Sequence, residues 1–180
     1  MHHARSAAIV IGLCAALSGQ ARADETGLVL GGTLVKPMGG EGRITGSTGA
    51  GGEILMLPSS SVLVQIGGFG ALGQSADGKE ARDIYDLLLL VGLITSRSAA
   101  VAPYACLGID VLSLTSRDRD KGETVRGTTL GVSAQAGLLG RFGDRGLVKV
   151  SGSYLGAIVP GTCDDLAGLV LQLAVGAAFD

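Results

Sequence analysis

Histidine is confined to His2 and His3, tryptophan is missing, and aromatic residues make up 3% of the 180 positions. Once an N-terminal leader is removed, the chain therefore holds no imidazole, which excludes Ser-His-acid catalysis and histidine-ligated metal. Cysteine is scarce as well. Of three cysteines, Cys14 falls in the leader, and the remaining Cys106 and Cys163 are too few for a structural zinc site. The formal charge of -2 is close to balance, so no basic surface argues for nucleic acid. The last absence is of long apolar runs. Hydrophobic residues reach 47%, yet after the leader the greasiest stretch, Leu87 to Leu93, is strand-sized and far short of the ~20 residues of a helical span.

The leader itself is legible. A short positive region (His2, His3, Arg5) precedes an apolar run from Ala7 to Leu17, and Ala21-Arg22-Ala23 supplies small residues at a cleavage site. Residues 1–23 are thus expected to be a signal peptide, leaving one domain over 24–180.

What is present in that domain is period two. Leu169, Leu171, Leu173, Val175, Ala177 and Phe179 fall on one face of the last strand, and Gly168, Gln172, Ala174, Gly176 and Ala178 fall on the other. Turn signals divide the chain into eight such segments, roughly Gly27–Met38, Arg43–Leu57, Ser61–Gly73, Arg82–Thr95, Val101–Thr115, Thr124–Arg141, Leu147–Pro160 and Ala167–Phe179. Each reaches the ~9–11 residues that a tilted strand needs to cross hydrocarbon. The connections also sort. Pro58-Ser59-Ser60, Ser96-Arg97-Ser98 and Gly143 to Gly146 are short; alternating with them are the more polar links Gly39 to Gly42, which is itself short, Gln74 to Ala81, Ser116 to Glu123 and Gly161 to Leu166, of which the second and third carry mixed charge. An even number of antiparallel strands with alternating short and long links describes an all-β, up-and-down barrel. High apolar content, an export signal and no helical span direct it to the outer membrane of a Gram-negative envelope, because only helices and closed barrels satisfy their backbone in lipid.

Parity assigns the faces. The greasier set, taken as lipid-facing, includes Leu87, Leu89, Val91, Leu107, Ile109, Leu130, Val132, Val148, Val150, Leu169, Leu171 and Leu173. The other parity holds the mid-strand charges and amides: Arg43, Glu53, Gln65, Asp86, Asp110, Gln135, Lys149 and Gln172. These are expected to line the interior as a polar ladder, since a lysine or arginine facing lipid at the midplane costs ~2–4 kcal/mol. Leu88 and Leu90 must then also point inward. The inverse arrangement is a lipocalin-like soluble periplasmic barrel with an apolar, lipid-binding centre. Its outer face would be largely Gly, Ser, Thr, Ala and Gln, a poor solvated surface.

With these strands, Gln172, Gly176 and the near-terminal Phe179 in place, the chain resembles the small eight-stranded outer-membrane barrels, the class of the outer membrane protein A transmembrane domain and outer membrane protein X. The resemblance is one of architecture and spans the domain. It implies a monomer surrounded by outer-membrane lipids, recognised through its last strand by the barrel-assembly machinery. Members that act on lipid A use a catalytic histidine, so those activities do not carry over to a domain lacking one.

No catalytic residue, cofactor or metal is expected. Asp86 and Asp110 should lie on neighbouring strands, inward and toward the outer rim, where two close carboxylates could do acid–base work; the competing reading makes them rungs of the polar ladder. Cys106 should sit mid-strand and Cys163 in a loop, further apart than the ~7 Å between Cα atoms that a bridge tolerates, which favours two unpaired side chains over a disulfide. Three functions remain open: a non-enzymatic membrane protein acting through its charged outer loops, a narrow pore favouring cations, and the soluble lipid binder.

Overall fold

A computed structural model describes residues 25–37, 44–75, 79–96, 98–157 and 168–179. The eight strands are β1 (Thr26–Pro37), β2 (Ile44–Met56), β3 (Val62–Ser75), β4 (Glu80–Ile94), β5 (Val101–Asp118), β6 (Glu123–Phe142), β7 (Gly146–Ala157) and β8 (Gly168–Phe179). Each pairs antiparallel with the next, and β1 pairs with β8 from Thr26↔Phe179 to Pro37↔Gly168, so the sheet closes into a barrel without edges. The leader, Arg43, Ile158 and Cys163 lie outside the described residues.

The alternation seen in the sequence becomes alternation of burial: in β8, buried and exposed residues follow one another strictly from Gly168 through Val175. Two hairpins turn on glycines with positive φ, Gly122 between β5 and β6 and Gly143 between β6 and β7, a conformation that side-chain-bearing residues avoid. Elsewhere a glycine marks close approach between strands. A Cβ at Gly108 would run into the Leu89 carbonyl of β4.

Strand ends differ from the expected ones on the long-loop side. Gln74 and Ser75 belong to β3, Glu80 and Ala81 to β4, and Ser116 to Asp118 to β5, all of which composition assigns to loops. The β5–β6 ladder runs from Val101↔Gly140 up to Asp118↔Glu123, and among the described residues β6 pairs with β7 from Gly131↔Ala157 to Phe142↔Gly146. Above the level of Gly131, β6 stays paired with β5, which pairs in turn with β4 up to Glu80↔Asp118.

Candidate functional site

The barrel interior is built in three layers. At the short-turn end an apolar cluster includes Leu55, Leu57, Leu63, Leu90, Ile94, Leu139 and Leu147. At the long-loop end a second cluster includes Val35, Phe69, Ile84, Leu112, Leu114, Leu155 and Val170. Between them lies a polar layer. The layering is written along single strands: on β7 the inward residues run Leu147, Lys149, Ser151, Ser153, Leu155, and on β4 they run Leu90, Leu88, Asp86, Ile84.

Lys149 is the hub of the polar layer and is 0% exposed. Its ammonium is ion-paired with Glu53 of β2 and donates to Gln65 Oε1 at 3.0 Å and Gln172 Oε1 at 3.2 Å. The Tyr104 ring centroid lies 5.9 Å away, within cation–π range. Three acceptors satisfy the three N–H bonds of one ammonium. Around this hub, Gln65 donates to Cys106 Sγ at 3.1 Å, Tyr104 donates its hydroxyl to Gln135 Oε1 at 3.2 Å, and Gln135 donates to Ser153 Oγ at 3.0 Å. Ser133 donates to Asp110 Oδ2.

Glu53, Gln65, Asp86, Asp110, Gln135, Lys149 and Gln172 are all enclosed, while Arg43 lies outside the described residues. They do not form one ladder. Glu53, Gln65, Gln135, Lys149 and Gln172 are knitted together through Lys149 and its neighbours, whereas among the described residues Asp110 accepts from Ser133 and neither oxygen of Asp86 has a side-chain hydrogen-bond partner. Asp86 and Asp110 do sit on adjacent strands, in register with Leu112 and Leu88 respectively. Their expected position near the outer rim needs correction: Ile84, Leu112 and Leu114 lie above them, because β4 and β5 continue outward to Glu80 and Asp118. Cys106 is a buried free thiol.

Two features were not singled out in the sequence. Tyr104 is interior, a placement that its shared parity with Cys106 and Asp110 carries. At the short-turn mouth Arg141 pairs with Glu25 at 2.5 Å, joining the end of β6 to the residue before β1. Arg141 shares parity with Ser133 and Gln135, and this could have found it.

The outer face is the complement. Leu87, Leu89, Val91, Leu107, Ile109, Leu130, Val132, Val150, Leu169, Leu171 and Leu173 are exposed, and Val148 is half-buried where it lies across Gly140. Leu171 is 56% exposed while Lys149 on the neighbouring strand is sealed inside, so the apolar-centred, lipocalin-like arrangement is excluded. Such a continuous apolar surface is stable in hydrocarbon and not in water. No helix among the described residues is long and apolar enough to cross a membrane; the crossing elements are strands.

Above the belt, the β4–β5–β6 sheet carries a set of surface ion pairs. Arg117 meets Asp83 at 2.9 Å and Lys79 meets Asp120 at 2.9 Å. The Arg119 amide donates to the Lys79 carbonyl at 2.8 Å, and Asp118 Oδ1 accepts from the amides of Asp120 and Lys121 to close the turn.

No family model matches the chain, and no curated protein matches it in sequence. Solved structures do. The outer membrane protein OprG of Pseudomonas aeruginosa superposes with a TM-score of 0.67 at 12% identity, covering 86% of this chain and 95% of that one. Ail, the attachment invasion locus protein of Yersinia pestis, gives 0.60 at 15% identity over 86% and 98%. Neisserial surface protein A gives 0.59 at 10% identity over 86% and 94%. At such identities the likeness is one of fold: the chain has the small eight-stranded barrel architecture of outer-membrane proteins.

Proposed function

We propose that this chain is an integral outer-membrane protein without catalytic machinery, a sealed barrel that holds a stiff, charged β-extension outside the membrane for recognition. The observation that carries this reading is the reach of the β4–β5 and β5–β6 ladders, which stay paired out to Glu80↔Asp118 and Asp118↔Glu123. A hydrogen-bonded extension braced by ion pairs presents its side chains in one arrangement, so a partner need not order it on binding. Its charges are mixed (Lys79, Arg117, Arg119 and Lys121 beside Asp83, Asp118 and Asp120), which suits a polar macromolecular surface of alternating sign rather than a polyanion. The name of the Yersinia neighbour refers to attachment, which is consistent with a surface role.

The test uses cells producing the full chain or a version in which residues 117–124 are replaced by a two-residue Asn-Gly turn. Both should reach the outer membrane and show heat-modifiable gel mobility, and only the full chain should increase adhesion of intact cells to host-cell or matrix surfaces. Equal adhesion by two equally folded proteins would remove the recognition role. The pore reading makes the opposite demand of planar bilayers; the apolar layers at both ends predict no conductance steps above baseline.

A further inference from the structure

Beside the Lys149 hub lies a small cavity of about 10 Å³, lined on its polar side by Glu53, Asp86, Ser133, Gln135, Ser153 and Gln172. That is room for about one water-sized occupant. Asp86 lines this space, is only 6% exposed, and among the described residues neither of its oxygens has a side-chain hydrogen-bond partner. An isolated carboxylate in such a place is costly unless something of positive charge or a proton accompanies it.

The surrounding charges say which. Among the described residues the buried side chains of the charged types are one ammonium, Lys149, and three carboxyls, Glu53, Asp86 and Asp110. Lys149 is committed to Glu53 and two amides. The half-buried Arg82 lies on the far side of Ile84, in the long-loop mouth. The layer is thus short of positive charge at one spot, which the polar side chains of Ser133, Gln135 and Ser153 line on one side and leucine, phenylalanine and valine side chains on the other. Oxygen donors select hard cations. A divalent ion would ask for more than one free carboxylate, and no group of three acidic, cysteine or histidine residues that could hold a metal ion occurs among the described residues.

We propose that this cavity binds one small monovalent cation of sodium's size, held by the Asp86 carboxylate and by side-chain oxygens of Ser153, Gln135 and Ser133. The ion completes the polar layer and is locked between the two apolar layers, so it enters as the barrel closes rather than passing through afterwards.

The experiment is refolding of the full chain into lipid vesicles across a urea series, in sodium chloride or in choline chloride at equal ionic strength. Choline is too large for the cavity. Sodium should shift the urea midpoint upward in a saturable manner, and at about ten times its dissociation constant the folded-to-unfolded ratio rises about elevenfold. D86N should abolish the sodium increment, whereas D83N, on the exposed extension, should keep it. Identical midpoints of the unaltered chain in the two salts would overturn the proposal, as would a sodium increment that survives in D86N. If D86N does not fold, infrared spectroscopy of the unaltered chain in sodium decides. A neutral-carboxyl band that D86S or D110N removes would show a proton in the place of the cation; no such band supports the ion.

Discussion

The enclosed polar layer and the exposed extension above it are built from the same residue types, yet they do opposite things. Inside, Lys149 and Glu53 come from β7 and β2, strands that are not neighbours in the sheet, and both side chains are 1% exposed. Outside, Arg117 and Asp83 come from adjacent strands, and the Arg117 side chain is 55% exposed. The inner pair spans the lumen and must be fully satisfied, because either partner left alone is a charge without water. The outer pair rests in water and contributes little to stability, so its residues are free to serve as a surface. The lesson is that charge in this barrel has two uses, and that burial alone separates them.

The inner pair is the more costly to disturb. Lys149→Met should cost ~3–5 kcal/mol by stranding Glu53, measured as loss of folded, heat-modifiable protein across a urea series. The double variant Lys149→Met with Glu53→Gln should recover much of that loss. If the double variant is as damaged as the single one, the cost lies in packing and not in the orphaned carboxylate. Next in size is a charge placed on the belt. Leu89→Arg should cost ~2–4 kcal/mol by the same assay in vesicles, where the guanidinium meets acyl chains. Smallest is the outer pair: Arg117→Ala should change stability by ~0–1 kcal/mol, and less in high salt. A loss as large as that of Lys149→Met would erase the distinction between the two regions.

The inward and outward sets were legible because period two is set by backbone geometry and because one face meets hydrocarbon. Lys149, Asp110 and Gln135 could be assigned by parity alone. The partner of Lys149 could not, since contact between β7 and β2 across the lumen depends on the tilt and stagger of all eight strands, which no single segment encodes. The upper parts of β4, β5 and β6 were hidden for a different reason. From Ser116 to Arg126 both faces of the hairpin meet water, so the alternation that marks a strand fades and the charged residues read as a loop. Asp86 shows the same limit: its parity placed it inside, but its lack of a partner depends on what the other strands bring beside it.

The central claim is that the apolar face looks outward into acyl chains. The chain contains no tryptophan, so a single one introduced at Leu89, Val132 or Leu171 is its own reporter. In vesicles with brominated acyl chains, strong quenching is expected at all three positions and little quenching by aqueous iodide. Efficient iodide quenching at these sites, or indifference to brominated lipid, would contradict it.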